Sequence, residues 1–251
     1  MQINAKANIA RGVKINEGCI IDDDVVIASG VNVGYNVVIR AGVRIGEGSI
    51  VCDNVVLGKT PVKAAMSAIT QARQELPPLE IGKNVTVGAG CIIYRGATVG
   101  DNVFIGDMAS IRENVDVGEL TIIGRGVAVE NKVSIGRKVK IETNAYITAL
   151  SVIEDYCFIA PEVTFTNDNF LGRTEERKKY FKGVTLRRGA RVGANATVLP
   201  AVEVGADALI AAGSVVTKDV PERMVVMGNP ARIIREAPTE QSIENQVFYD
   251  K

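Results

Sequence analysis

An apolar residue, almost always Ile or Val, returns every sixth position along most of the chain. The count holds for ten, fifteen and six consecutive positions, in blocks that run from Ile3 to Leu57, from Ile81 to Phe165 and from Leu186 to Val216. Neither a helix, with a period of about 3.6, nor a strand, with a period of two, requires a period of six. A tight turn after each very short strand does require it, so the pattern predicts 31 short strands separated by turns.

The residues between these positions fit tight corners. Gly often follows the repeat residue, and Asn, Asp or Gly often lies three residues after it, as at Asn36, Asn84, Asn102 and Asp207. These residue types tolerate the left-handed backbone that a sharp corner needs. The residue two before the repeat position is small or β-branched, and Cys19, Cys91 and Cys157 occupy that place. We therefore expect the cysteines to be small core residues rather than redox or catalytic groups.

This hexapeptide pattern resembles the left-handed β-helix hexapeptide-repeat acyltransferase family. The resemblance implies an all-β solenoid, a left-handed parallel β-helix of about ten triangular coils, each made of three repeats. Two inserted loops, the first helical, and a short C-terminal helical segment complete the predicted fold. The predicted domains are the β-helix over residues 1–220, with insertions at 58–80 and 166–185, and a C-terminal cap and tail over 221–251.

The two insertions interrupt the count of six. In the first, the stretch from Val62 to Leu76 has an apolar stripe at helical spacing and ends at Pro77 and Pro78. It is either a small helix packed over the prism or a wall for a ligand. The second begins FTNDNFLGRTEERKKYFKG. Its charge run alone is typical of a solvated surface, whereas a long loop in a regular solenoid is usually functional or interfacial.

Every third repeat stacks on the same side of the predicted prism. One side carries a polar residue after each repeat position, and we call this set the polar ladder: Tyr94, Arg112, Glu130, Thr148 and Thr166. The pleat predicts that these side chains point outward, with Arg112 and Glu130 as neighbours of opposite charge. The ladder is either a solvated face or a surface that meets another subunit. The resemblance implies a homotrimer of parallel prisms, with substrate clefts between them.

Composition narrows the chemistry. The chain has 29 basic and 29 acidic residues, no His, no Trp and four Cys without a CxxC pair. A net charge of zero gives no reason to expect nucleic acid or a membrane as partner, and no metal site is expected. No apolar run has the length of a signal peptide or a membrane span, so we expect a cytoplasmic protein.

The absence of His bears on the acceptor. An alcohol normally needs a general base, whereas a neutral amine is already a good nucleophile that a carboxylate or an amide can orient. This favours N-acylation over O-acylation. The segments VKIETNAYI (139–147) and CFIAPEVTFTNDNFLGRTEERK (157–178) resemble those of CoA-dependent N-acetyltransferases of nucleotide-linked amino sugars. The resemblance and the residue chemistry give Asn144, Glu142 and Asp168 as catalytic candidates. The substrate-binding candidates are Thr166, Asn167, Arg173 and Glu130.

The closing segment DVP…GNPAR resembles that of CoA-using family members, and it implies acetyl-CoA or another acyl-CoA as donor. By that resemblance, basic residues would hold the CoA phosphates and small residues would line the pantetheine arm. The candidates are Lys218, Arg223 and Arg232 for the phosphates, with Ala194 and Ala212 for the arm.

Three functions stay open at this level. The first is a CoA-dependent N-acyltransferase, most simply of acetyl groups, that acts on a nucleotide-activated amino sugar by direct attack on the thioester. The second is an O-acyltransferase with Glu142 or Asp168 as base. The third is a non-catalytic solenoid scaffold, against which the CoA-type closing segment argues.

Overall fold

The computed structural model describes residues 1–65 and 75–247. Short parallel strands follow one another at intervals of six residues, and each of the 31 repeat positions lies in a strand. The repeat residue points inward, so that Ile21, Ile45 and Val87 are buried within the prism. The period of six therefore arises because one inward residue per strand must enter the core and a corner must follow.

The strands have the following bounds. Before the first insertion they are β1 Gln2–Ile3, β2 Asn8–Ile9, β3 Lys14–Ile15, β4 Ile20–Ile21, β5 Val26–Ile27, β6 Asn32–Val33, β7 Val38–Ile39, β8 Arg44–Ile45, β9 Ile50–Val51 and β10 Val56–Lys59. Between the insertions they are β11 Glu80–Ile81, β12 Thr86–Val87, β13 Ile92–Tyr94, β14 Thr98–Val99, β15 Phe104–Ile105, β16 Ser110–Ile111, β17 Asp116–Val117, β18 Ile122–Ile123, β19 Ala128–Val129, β20 Ser134–Ile135, β21 Lys140–Ile141, β22 Tyr146–Ile147, β23 Val152–Ile153, β24 Phe158–Ile159 and β25 Thr164–Phe165. After the second insertion they are β26 Thr185–Leu186, β27 Arg191–Val192, β28 Thr197–Val198, β29 Glu203–Val204, β30 Leu209–Ile210, β31 Val215–Val216, β32 Met224–Gly228 and β33 Ala231–Glu236.

Every third strand belongs to the same sheet. Sheet A begins with β1 and β4 and has 11 strands, sheet B begins with β2 and β5 and has 10, and sheet C begins with β3 and β6 and has 12. Neighbouring strands of a sheet are parallel, and Ile21 pairs with Ile39, the repeat residue three strands further along the chain. The predicted left-handed parallel β-helix is confirmed, and its rungs number close to the ten coils expected.

The corners and the core follow the sequence closely. Asn36 and Asn84 have φ angles of 55° and 53°, which confirms the left-handed corners. A Cβ added at Gly106 would lie 2.7 Å from the backbone nitrogen of Arg125, so this column of glycines lets successive coils stack. Cys91 and Cys157 are buried, and burial raises the pKa of Cys91 to about 11 and that of Cys157 to about 12. They are small core residues, as predicted.

The insertions leave the stacking of the rungs intact. The helix predicted from Val62 to Leu76 falls for the most part on residues 66–74, outside the described residues. In the second insertion a single 3₁₀ turn spans Glu176–Lys179. Val152 pairs with Ser134 on the preceding rung and with Thr185 on the following one, beyond the loop. The loop therefore adds length without shifting the register.

The C-terminal segment closes sheet C. β32 pairs parallel with β30, and β33 folds back antiparallel on β32. The predicted helical segment is limited to 3₁₀ turns at Thr239–Gln241 and Ile243–Asn245. The residues before these turns pair in the hairpin of β32 and β33, so their backbone groups do not form a helix. In the part of the chain that the structure describes, no helix has the length and apolar character needed to cross a membrane.

Candidate functional site

Most of the predicted site residues lie on two edges of the prism that flank sheet A. The A–B edge consists of the residues that follow each strand of sheet A, and the C–A edge of those that follow each strand of sheet C. On the A–B edge are Glu130, Thr166, Asn167, Asp168 and Lys218. On the C–A edge are Glu142, Asn144, Ala194 and Ala212.

A cluster of charges occupies the A–B edge midway along the prism. Arg112 Nη1 lies 3.4 Å from Glu130 Oε2 on the next rung, which confirms the predicted opposite-charge pair. Arg112 Nε also donates to Glu113 Oε2 at 2.8 Å, and its Nη2 donates to Glu113 Oε1 at 3.0 Å. The guanidinium also lies over the ring of Tyr94, with Arg112 Cζ 5.0 Å from the ring centroid. One cation therefore holds two carboxylates at fixed positions.

Glu113 is a member of this cluster that sequence reasoning missed. Only 1% of its surface is exposed, although it follows an arginine at a corner. That adjacency was the available signal, since a carboxylate at a buried corner needs a cation. Thr148 of the polar ladder is only 3% exposed, so this part of the ladder is covered rather than solvated. Its rung lies where the second insertion leaves the prism, and Asn167 Nδ2 donates to the neighbouring Ala149 oxygen at 3.5 Å.

The surroundings of Glu130 favour its uncharged form. Burial raises the pKa of Glu130, and the positive charge of Arg112 opposes this rise without cancelling it. Burial, with a smaller contribution from Glu130, also raises the pKa of Tyr146. A half-buried carboxylate with a raised pKa is a better proton acceptor than an ordinary surface carboxylate. Glu130 is therefore a further candidate for the general base, a role that the sequence assigned to other residues.

Asp168 holds the second insertion in shape. Its Oδ1 accepts the Phe170 N–H and its Oδ2 accepts the Gly172 N–H, each at 2.9 Å. Arg177 Nη1 also donates to Oδ2 at 2.9 Å. Burial raises the pKa of Asp168, but the hydrogen bonds from Gly172, Phe170 and Arg177 outweigh it, so that the pKa is lowered. These contacts suit a structural carboxylate better than a proton acceptor.

The other loop candidates lie close to the ladder. Thr166 Oγ1 donates to the Val198 oxygen at 3.0 Å, which ties the start of the loop to the next rung. Arg173 is exposed on the loop. The rings of Phe170 and Tyr180 stack at 5.9 Å across the loop, between its outgoing and returning segments. Thr166 and Asn167 are thus fixed on the A–B edge two rungs beyond Glu130, while Arg173 is exposed on the loop.

The candidates on the C–A edge form a separate group. Asn144 is an exposed corner residue with φ 59°, and its Nδ2 donates to Glu162 Oε1 at 2.8 Å. Glu142 is half-buried and precedes it by two residues. Four residues of extended chain, about 13 Å, separate Asn144 from the A–B edge at Thr148. The structure therefore does not bring Asn144 and Glu142 together with Asp168 or Glu130 within one chain.

The acyl-donor candidates also fall into groups. Ala194 and Ala212 stack on the C–A edge, where the Gly213 N–H donates to the Ala194 oxygen at 2.8 Å. Lys218 lies on the A–B edge, Arg223 on the edge between sheets B and C, and Arg232 in β33. The structure therefore brings the two alanines together but does not gather the three cations at one place.

Comparison with known proteins identifies the six-residue pattern as a known type of repeat. The family model described as "Bacterial transferase hexapeptide (six repeats)" matches residues 78–112 and 183–218, and "Hexapeptide repeat of succinyl-transferase" matches residues 115–149. The chain therefore contains hexapeptide-repeat transferase domains. The matched residues include Arg112, Glu130 and Asn144 but not Glu113.

Curated relatives resemble this chain over part of its length. It is 34% identical over 97 residues to galactoside O-acetyltransferase of Escherichia coli K12, covering 35% of this chain and 48% of that protein. It is 45% identical over 56 residues to 2,3,4,5-tetrahydropyridine-2,6-dicarboxylate N-acetyltransferase of Staphylococcus aureus JH9, covering 22% and 23%. The chain spans no more than about half the length of these curated relatives.

A solved structure extends the likeness of fold. LpxA from Acinetobacter baumannii superposes with a TM-score of 0.50 and 20% identity, covering 94% of this chain and 72% of that one. At this identity the superposition shows that this chain shares the solenoid fold of that protein.

Proposed function

We propose that this protein is an acyl-CoA-dependent N-acyltransferase, most simply an N-acetyltransferase, of a nucleotide-linked amino sugar. The observation that carries this proposal is the carboxylate of Glu130, half-buried beside Arg112 on the edge from which the 166–185 loop leaves two rungs later, in a chain without histidine. The names of the two curated relatives describe acetyl transfer, one to oxygen and one to nitrogen. Their partial coverage makes the activity an inference for this chain.

The reaction would proceed by direct attack. The amine nitrogen attacks the thioester carbonyl carbon, a C–N bond forms and the C–S bond breaks, so that CoA departs as a thiolate. Glu130 takes the proton that the nitrogen loses, and the thiolate can then be protonated to give free CoA. In this proposal Asn144 and Glu142 orient the acceptor, and Thr166, Asn167 and Arg173 contribute to substrate binding from the second insertion. Ala194 and Ala212 line the pantetheine arm, and Lys218, Arg223 and Arg232 attract the phosphates of CoA.

The separation of the candidates supports a homotrimer. Residues on the C–A edge and on the A–B edge lie on opposite sides of sheet A in one prism, about 13 Å apart. When parallel prisms pack side by side, the C–A edge of one subunit can face the A–B edge of its neighbour. Phe104 and Met108, which are 48% and 69% exposed, give the prism large apolar side chains that a neighbouring subunit would cover. A site between subunits would also have the depth that a bare prism lacks.

Release of free CoA tests the activity. The protein is incubated with acetyl-CoA and longer acyl-CoAs in the presence of UDP- and dTDP-linked amino sugars, with the corresponding hydroxyl sugars as matched acceptors. We expect CoA release with an amino sugar and none with its hydroxyl counterpart. No release with any amine at high enzyme concentration contradicts the proposal.

O-acylation is the second candidate. A specific observation favours it, because Glu130 with its raised pKa supplies the kind of base that an alcohol acceptor needs. Release of CoA with the hydroxyl sugars, and none with the amino sugars, would replace the first proposal by this one.

Mixing two inactive variants tests whether the site lies between subunits. Asn144→Ala damages the C–A edge and Glu130→Gln damages the A–B edge, and each alone is expected to be nearly inactive. After unfolding and refolding of an equal mixture, about a quarter of the interfaces join two undamaged edges in a cyclic trimer. We expect about that fraction of the activity to return. No recovery in co-refolded trimers contradicts a shared site.

A further inference from the structure

A pocket of about 630 Å³ opens on the outer face of sheet A, on the N-terminal side of the charge cluster. Val56 and Ile92, paired on adjacent rungs, form its apolar floor. Arg40, Lys59 and Arg95 lie around it together with one carboxylate, that of Asp22. Its volume is in the range of small-molecule sites, and none of these residues belongs to the candidate site described above.

The start of the first insertion, at Lys59 and Thr60, forms one wall of this pocket. The chain leaves the regular register between Leu57 and Lys59, where Gly58 has a φ angle of 76°. Where the chain returns, Arg95 fixes it to the prism. Arg95 Nη1 donates to the Ala41 oxygen at 2.7 Å, and its Nε and Nη2 donate to the Leu76 oxygen at 3.4 and 3.3 Å. The returning end of the insertion is therefore tied to Arg95, a lining residue of the pocket.

The pocket carries an excess of positive charge. Asp22 lies 3.5 Å from Arg40, and both are partly exposed, so this pair neutralises one of the three cations only weakly. Lys59 Nζ lies 5.3 Å from the centre of the Tyr94 ring, and neither Lys59 nor Arg95 forms an ion pair with a carboxylate of residues 1–65 or 75–247. The intervening residues, MSAITQARQ, include no acid. Two positive charges in excess suit a doubly charged anion such as a diphosphate.

A shallow track joins the pocket to Glu130. On sheet A, Ile92 pairs with Ser110 and Ser110 pairs with Ala128, so the outward side chains beyond the pocket are small. Arg95 and Glu130 follow β13 and β19, which are two rungs apart, or about 10 Å. This span accommodates one sugar ring between a diphosphate at the pocket and an amine at Glu130.

We propose that this pocket binds the diphosphate of the nucleotide-linked acceptor. The sugar lies over Ser110 and Ala128, and its amine reaches Glu130. This assignment rests on the proposed function and deepens it, because it gives the first insertion the task of recognising the nucleotide end of the substrate. The charge order along sheet A, cations first and carboxylates after them, sets the direction in which the substrate lies.

Binding of UDP and dTDP tests the pocket without any need for catalysis. Isothermal titration calorimetry on the full chain compares the wild type with Lys59→Gln and Arg40→Gln. Matched controls are Lys83→Gln, at another edge, and Arg44→Gln, which lies on the face of sheet B. All four side chains are at least partly exposed, and thermal unfolding checks that each variant folds. We expect the pocket variants to weaken the binding of at least one nucleotide by about tenfold and the controls to leave it unchanged.

Kinetics then distinguish the pocket from the proposed function. We expect the pocket variants to raise the KM for the nucleotide-linked amino sugar about tenfold, with kcat and the KM for acyl-CoA unchanged, and free UDP or dTDP to compete with that sugar. If the wild type is active and the pocket variants change neither the nucleotide affinity nor the KM, the pocket assignment is overturned while the proposed function stands. If Lys59→Gln weakens nucleotide binding but the wild type transfers no acyl group to any amine, the proposed function is overturned, and so is the assignment of the acceptor to this pocket. Non-competitive inhibition also overturns the assignment, because it shows a separate nucleotide ligand.

Discussion

Arg112 and Glu130 lie on successive rungs of sheet A, with Arg112 Nη1 3.4 Å from Glu130 Oε2. The pair combines two opposed influences on one carboxylate. Burial disfavours its charge, and the guanidinium favours it. This balance leaves Glu130 able to hold a proton and to release it, which is the property that a general base requires.

Replacing Glu130 by Gln is expected to lower kcat about 10²- to 10⁴-fold, because it removes proton transfer and keeps the shape of the side chain. Steady-state kinetics with the amino-sugar acceptor measure the effect, and the KM for acyl-CoA is expected to stay unchanged. Glu17→Gln, at an exposed corner near the N terminus, is the matched control. Wild-type kcat in Glu130→Gln would remove Glu130 from the mechanism.

The pH profile gives a second test of the same carboxylate. Because the base must be ionised, kcat/KM is expected to rise with pH through an apparent pKa above the ordinary value of 4.5. The negative charge of Glu113 helps to raise the pKa of Glu130, so Glu113→Gln is expected to shift the rising part of the kcat/KM profile to lower pH. If the substrate amine sets this part of the profile, it does not shift in the variant, and that result would assign the profile to the substrate.

Arg112 is expected to matter for stability as well. Arg112→Met leaves the carboxylate of Glu113 buried without its cation, and breaking such a pair costs about 3–5 kcal/mol in free energy of unfolding. Denaturant unfolding measures the loss. In the double variant Arg112→Met, Glu113→Gln most of that stability is expected to return. An additive loss in the double variant would show that the pair is not the cause.

The second insertion is expected to loosen when Asp168 is changed. Asp168→Asn weakens the hydrogen bonds to Gly172, Phe170 and Arg177, so cleavage within residues 169–182 by trypsin should become faster while the thermal midpoint stays near that of the wild type. The lowered pKa of Asp168 fixes the sign of the pH effect. The loop is held at pH values above the ordinary pKa of 3.8, and this hold is lost as pH falls through the lower folded-state value. Glu176→Gln, on the exposed 3₁₀ turn, is the control, and equal cleavage in both variants would contradict the role of Asp168.

The glycine column is expected to be intolerant of substitution. An alanine at Gly106 places its Cβ 2.7 Å from the Arg125 nitrogen, so coils must move apart at a cost of about 1–3 kcal/mol or more in free energy of unfolding. Gly12→Asn is the comparison, since nothing lies within 4 Å of its Cβ and asparagine tolerates its φ angle of 82°. Similar losses in the two variants would show that the contact between coils is not limiting.

The fold could be predicted from the sequence because each strand repeats the same physical demand. One inward side chain and one corner recur every six residues, and the sequence shows both, for example at the inward residue Ile21 and the corner residue Asn36. The C-terminal hairpin was missed because the pairing of β32 with β33 depends on where the last coil places its edge. No local pattern specifies that position.

The candidate site was less accessible to sequence reasoning. The stacking of every third repeat identified the pair of Arg112 and Glu130, since that pair follows from the register. Glu113 and the hydrogen bonds of Asp168 were not foreseen, because they depend on which way a corner side chain turns and on how an irregular loop folds. Asn144 and Glu142 were placed by resemblance, and their position on the far edge of sheet A followed only from the structure.

The pairing of Val152 with Thr185 has a consequence for how such a protein can change. The frame tolerates a long insertion between β25 and β26 without moving any rung, because the loop starts and ends at the same edge. Under the proposed function, replacing this one edge loop can therefore change the specificity for the acceptor while the strands of the core keep their positions. Evolution or an engineer could alter what this solenoid recognises without having to refold it.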